Sequence, residues 1–131
     1  MYKKLTQKIN IMQRIDLINK VADSIDRLDG KAFSEFITED GSFKYANNEP
    51  VKGRKNIEEY VSAFFKFVKS GKHKVIRIWE DGDSLVWQGE VTYTRQDDKV
   101  MTFPFVNVFK MDGDLISDYQ IHIDNTPLFG E

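Results

Sequence analysis

The stretch Val106-Asn107-Val108-Phe109-Lys110-Met111-Asp112-Gly113-Asp114-Leu115-Ile116 decides the fold. β-Branched and aromatic residues flank a tight Asp-Gly turn, the pattern of a β-hairpin. Downstream the chain reads Ile121-His122-Ile123-Asp124-Asn125-Thr126-Pro127-Leu128, a strand that ends in turn formers. Upstream, Asp81-Gly82-Asp83 and Gln96-Asp97-Asp98-Lys99 close two more hairpins. Four strands, at about 72–80, 84–95, 100–111 and 114–124, therefore fill the C-terminal part.

What precedes them is mostly helical. Ile11, Ile15, Ile18, Ala22 and Ile25 form an apolar stripe, widened by Leu17, Val21 and Leu28 and broken at Asp29-Gly30. A short second helix, about 31–37, points Phe33, Phe36 and Ile37 inward, and Thr38-Glu39-Asp40-Gly41 turns into a strand at about 42–46. After the turn Asn47-Asn48-Glu49-Pro50, a third helix aligns Ile57, Tyr60, Val61, Phe64, Phe65 and Val68 on one face and stops at Ser70-Gly71. The order α-α-β-α-β-β-β-β predicts one α+β domain over residues 1–131, with 1–11 extending the first helix.

Composition removes several function classes. There is no cysteine, which excludes disulfides, thiolate chemistry and Cys-based zinc sites and fits a reducing, cytoplasmic setting. Nineteen basic against 21 acidic residues give a net charge of −2, the wrong balance for nucleic acid. No run approaches the ~20 apolar residues of a membrane span. His73 and His122 are the only histidines and no spaced acidic cluster accompanies them, so neither a metal nor a cofactor is expected. His73, between Lys72 and Lys74, is expected to be exposed.

The segments Asp29-Gly30-Lys31-Ala32-Phe33, Thr38-Glu39-Asp40, Val51-Lys52-Gly53-Arg54, Val108 to Gly113 and Asp124 to Leu128 resemble the nuclear transport factor 2-like superfamily, within it the SnoaL-like group. The resemblance runs from about Met12 to the end and is similar in outline to polyketide cyclases and ketosteroid isomerases. It implies a cone: three N-terminal helices packed on a strongly curved, mostly antiparallel sheet around a cavity. It implies no single reaction, because the fold hosts isomerases, hydrolases, dehydratases, cyclases and non-catalytic binders. Aligned on these segments, the isomerase general base falls at Tyr45, its oxyanion tyrosine at Val21 and its neutral aspartic acid at Asn107. The Arg and Asp of limonene epoxide hydrolases fall at Phe105 and Asn107, and the paired histidines of scytalone dehydratases find no places. None of these mechanisms transfers intact.

With Asn107 facing the cavity, Phe103, Phe105 and Phe109 share its face. A two-residue Asp112-Gly113 turn would pair Met111 with Asp114 and so place Asp118, Gln120 and His122 opposite Asn107, Phe105 and Phe103. The expected ligand site is then Tyr45, Phe105, Asn107, Asp118, Gln120 and His122, holding a small hydrophobic molecule. His122 is the expected proton-transfer residue, since its unperturbed pKa of ~6.5 lies near neutrality. Val106, Val108, Tyr119, Ile121 and Ile123 would face outward and be covered by a second copy, giving a homodimer through the outer sheet. A slip of one residue would exchange the two faces. Trp87, Tyr93 and Arg95 fall on the dimer side by a simple hairpin count, with a bulge as the way to turn them inward, and Arg95 is expected to point into water. Asp124 is expected to cap the turn that follows it. The alternative to a ligand-binding cone is a non-catalytic assembly module whose cone is plugged with side chains.

Overall fold

A computed structural model describes the backbone of residues 2–130 and the side chains of residues 14–130. Its elements are α1 (Tyr2–Asp26), α2 (Gly30–Ser34), β1 (Ile37–Tyr45), β2 (Val51–Lys52), α3 (Arg54–Phe67), β3 (Val68–Asp81), β4 (Ser84–Arg95), β5 (Val100–Asp112) and β6 (Leu115–Ile123), followed by a 3-10 turn (Thr126–Phe129). The strands form one six-stranded sheet in the order β2-β1-β6-β5-β4-β3. Every pairing is antiparallel except β1 with β6. Four register shifts interrupt the ladders, and such irregularities add twist and bend a sheet around its contents.

The helices cover the inner face. Ile18, Val21, Ala22 and Ile25 of α1, Phe33 of α2, and Ile57, Val61 and Phe65 of α3 are buried against Leu85, Trp87, Val91, Phe103, Phe105, Phe109 and Tyr119 of the sheet. Ile15, although in the apolar stripe, is exposed, and Ile11 lies outside the described side chains. At the end of α1, Leu28 takes the left-handed conformation, at φ 56°, that glycine ordinarily supplies. Asp29 then caps α2 by accepting from the Ala32 N–H at 3.0 Å.

The predicted second helix is too long. It ends at Ser34, and Ile37 to Gly41 belong to β1, with the expected turn absorbed as a register shift between Ile37 and Ser42. Gly41 is in this shift because Ile37 Cγ2 lies 2.4 Å from where its Cβ would stand. Val68 opens β3 instead of closing α3, and the strand runs on through Ser70-Gly71 without a break. The helices do not form one N-terminal block, since β1 and β2 separate α2 from α3. No described helix is long and apolar enough to cross a membrane.

Candidate functional site

The concave side of the sheet and the helices enclose a cavity of about 360 Å³, within the ~300–1,000 Å³ range of small-molecule sites. Phe105, Asn107 and Tyr119 line it from the sheet, Ile25 and Phe33 from the first two helices, and Phe64 and Phe65 from α3. At the rim, the exposed rings of Phe67 and Phe129 stack at 5.2 Å. The Phe129 segment is tied down by Arg95, whose Nη1 donates to the carbonyls of Gly130 (2.6 Å) and Leu128 (3.4 Å). Arg95 thus points along the C-terminal segment and not into water, and it holds Asp97 through Nε and Nη2, which keeps that carboxyl below its usual range.

Two hairpins decide which side chains enter the cavity. Between β4 and β5, Arg95 N–H bonds Lys99 O and Asp98 takes φ 68°, so three residues, not four, form the loop. That pairs Thr94 with Val100, Tyr93 with Met101 and Trp87 with Asn107, and it turns Trp87 and Tyr93 inward. Between β5 and β6, Asp112 pairs with Leu115, so the turn is Gly113-Asp114, one place later than expected. That shift alone moves the pairing sum by two and keeps the faces. The extra residue Ser117, between the Met111–Ile116 and Lys110–Asp118 pairs, then reverses them. Its hydroxyl bonds Lys110 O at 3.1 Å.

The sequence-derived site therefore divides. Tyr45, Phe105 and Asn107 line the cavity. Asp118, Gln120 and His122 do not: Gln120 and His122 pair with Val108 and Val106 on the outer face, and His122 is exposed. Asp118 and Gln120 bond each other there at 3.0 Å. In their place Tyr119, Ile121 and Ile123 turn into the cavity. The outer face keeps Val86, Val106 and Val108 but sets them among Gln88, Glu90, Gln120 and His122, so it is mixed and not the apolar patch expected. Asp124 does cap the turn: it accepts from the Thr126 N–H (3.2 Å) and hydroxyl (2.7 Å), and these bonds hold its carboxyl below the usual range.

Sequence reasoning also misplaced His73, which it expected to be exposed. Its side chain is only 6% exposed, it lines the cavity, and its Nδ1 lies 2.7 Å from Oδ1 of Asp26. Asp26, the last residue of α1, also accepts from the His73 backbone N–H at 3.0 and 3.1 Å. A carboxylate can only accept, so Nδ1 carries a proton in this contact, and in the neutral ring the lone pair is then on Nε2. Nε2 has no hydrogen-bond partner among the described residues. The ring packs against Trp87 (5.7 Å) and Phe105 (5.6 Å). Gly89 makes room for this cluster: a Cβ there would stand 2.7 Å from Phe105 Cζ and 2.3 Å from Lys74 O. The missed signal was period-two alternation, because Lys72 and Lys74 face outward and so send Gly71, His73 and Val75 to the other side.

Other polar groups punctuate the apolar lining. The Tyr45 hydroxyl accepts from Asn125 Nδ2 at 3.0 Å. Burial raises the pKa of Tyr45, Tyr93 and Tyr119, so all three stay neutral hydroxyls at physiological pH. Asn107 Nδ2 makes a long 3.4 Å bond to the Tyr119 hydroxyl, while its Oδ1 is buried without a partner, as is Nε1 of Trp87. Among the described residues no group of three or more His, Asp or Glu side chains is placed to hold a metal ion.

A family model described as the SnoaL-like domain matches residues 18–119. No curated protein matches the sequence. Among solved structures, similarity extends to a protein of ketosteroid isomerase-like fold from Catenulispora acidiphila DSM 44928, in complex with trimethylamine. It is 13% identical, with 81% of this chain and 83% of that chain covered and a TM-score of 0.76. An NTF2-like protein from Anabaena variabilis ATCC 29413 is 13% identical, with 88% and 89% covered and a TM-score of 0.77. An LEH-like epoxide hydrolase from M. tuberculosis is 14% identical, with 90% and 87% covered and a TM-score of 0.75. At such identities these likenesses establish the fold alone.

Proposed function

The chain belongs to the SnoaL-like family, and on that premise we propose that it binds a small, largely hydrophobic molecule in the cavity and moves a proton on it through His73. The observation that carries this reading is the buried His73 ring on the wall of a largely apolar cavity, paired with the half-buried Asp26 behind it. Tyr45, Phe105 and Asn107 remain as ligand contacts, whereas His122, Asp118 and Gln120 drop out of the site.

The chemistry follows from the pair. Asp26 accepts a hydrogen bond from Nδ1–H, fixes the tautomer and steadies the charge that develops when Nε2 takes a proton from carbon. The Trp87 and Phe105 rings packed on His73 lower the local dielectric, which strengthens that interaction. Buried neutral hydroxyls, Tyr45 and Tyr119, are available to donate to the oxygen on which negative charge accumulates. The reaction class is proton abstraction next to a carbonyl, with the proton returned to the same or a neighbouring carbon.

A bicyclic ketone tests this. The protein is expected to accelerate exchange of the α-protons of 2-tetralone in D2O, and His73→Gln is expected to abolish the acceleration while 2-tetralone still raises that variant's melting temperature. Binding of 2-tetralone by the wild type with no acceleration would reduce the function to ligand carriage. The mixed outer sheet face is proposed as the contact of a homodimer, with Val106 and Val108 at its centre.

A further inference from the structure

Among the described residues, two of the large apolar side chains that line the cavity are exposed, Phe67 (44%) and Phe129 (57%). Their rings stack on each other at 5.2 Å, with 28° between the planes. Phe67 ends α3 and Phe129 ends the C-terminal 3-10 turn, so the stack bridges two separate elements across the rim. An exposed phenylalanine by itself means little. What sets Phe129 apart is how differently its backbone and its ring are held. At the start of the segment Asp124 accepts from the Thr126 N–H and hydroxyl, Pro127 has its φ fixed by its own ring, and Leu128 is fully buried. Arg95 Nη1 then takes the carbonyls of Leu128 and Gly130, the residues on either side of Phe129. The guanidinium is fixed in turn, because Nε and Nη2 donate to Asp97 at 3.1 and 2.7 Å. The main chain at Phe129 is therefore a clamped base, while the aromatic contact of its ring is Phe67. Phe67 has less freedom, since it projects from a helix that restricts its rotamers and also meets Phe64 at 6.5 Å. Phe129 is the member of the pair that can move.

We propose that Phe129 is the gate of the cavity. Stacked on Phe67, its ring closes the rim; turning about its Cα–Cβ bond, over the base that Arg95 holds, it admits the ligand and then covers it. This rests on the reading of the cavity as a ligand site and adds the way in. The stack suits a gate because it is weak: two rings in such contact favour the closed form over the open one by about five-fold, or ~1 kcal/mol. Rotamer changes of exposed side chains take picoseconds to nanoseconds, far less than the interval between ligand encounters. The gate therefore slows entry through the small fraction of time it stands open, and it slows exit in the same way.

The test is stopped-flow fluorescence with 6-propionyl-2-dimethylaminonaphthalene, an uncharged naphthyl ketone whose emission shifts in apolar surroundings. Phe129→Ala is expected to raise the association rate constant about five-fold, the stack's share, and the dissociation rate constant at least as much. Phe129→Leu, which keeps an apolar side chain but no ring to stack, should do the same. Loss of a mere ligand contact shows in dissociation alone. Unchanged association in both variants therefore overturns the gate, and the entrance then lies beside Asn48 and Tyr60. Arg95→Gln frees the base and should also speed association, and Phe129→Ala made in that background should add nothing. Effects of the two substitutions that multiply overturn the part given to Arg95. Each of these results leaves the ligand-site reading standing, because the wild type binds the probe throughout. Absence of probe binding by the wild type overturns that reading and the gate with it.

Discussion

Replacing Asp26 by Asn tests whether the His73–Asp26 pair is formed and what it contributes. The shapes match, but the carboxylate accepts from both the His73 backbone N–H and the Nδ1–H, whereas an amide offers one oxygen and one NH2. With the amide oxygen at the Oδ1 place both His73 donors keep an acceptor, but they lose the carboxylate charge. The NH2 then stands where Oδ2 accepted from the backbone N–H, donor against donor. Hydrogen bonds to charged groups contribute about 1.5–3 kcal/mol each. With the Asp26 side chain 27% exposed, water offsets part of the loss, and we take about 2 kcal/mol. Unfolding entropy of about 2.1 cal/mol/K per residue gives roughly 0.28 kcal/mol/K for 131 residues, so the melting temperature should fall by about 7 °C. The experiment is a double-mutant cycle by differential scanning calorimetry with His73→Ala, which removes the ring and keeps the backbone N–H. In that background Asp26→Asn should cost about half as much, a coupling of about 1 kcal/mol. Equal cost in both backgrounds, or a fall of less than about 2 °C in the wild type, would refute the reasoning. His73 would then be held by aromatic packing alone.

Alkaline pH should unfold the protein through its buried tyrosines. Burial raises the folded-state pKa of Tyr45, Tyr93 and Tyr119 above the ordinary value of 10.0, so above pH ~10 the unfolded chain releases protons that the folded chain keeps, and stability falls as pH rises. The slope is at most about 1.4 kcal/mol per pH unit for each group. Absorbance at 295 nm should show these three ionising only together with loss of circular dichroism; five phenolates in a protein with a native spectrum would contradict it. The homodimer proposal predicts that the wild type sediments as a dimer at micromolar concentration and that Val108→Lys, on the outer face opposite Gln120, sediments as a monomer of unchanged secondary structure. A monomeric wild type would end that proposal.

Much of the molecule was legible without coordinates. Strand β4 falls where its alternation and turns put it, and the inward set Phe103, Phe105, Asn107 and Phe109 follows from period two once one member is assigned. The apolar face of α3 is equally local, since 3.6-residue spacing is visible in any helix that packs on one side. These features depend on neighbours within a few residues, and the sequence by itself determined them.

Tertiary structure decided the rest. Which face of β6 meets the cavity turned on one extra residue, Ser117, and nothing in the local pattern distinguishes a strand with a bulge from one without, because Tyr119-Gln120-Ile121-His122-Ile123 alternates equally well either way. The choice is made by what must be buried: Tyr119, Ile121 and Ile123 gain an apolar cavity, and the polar members go to water. The His73–Asp26 pair joins residues 47 apart, the end of a helix and the start of an edge strand. Only the closure of α1 over β3 brings the carboxylate to the imidazole. A histidine between two lysines carries no sign of that partner, and so the pair became visible only when the chain had folded.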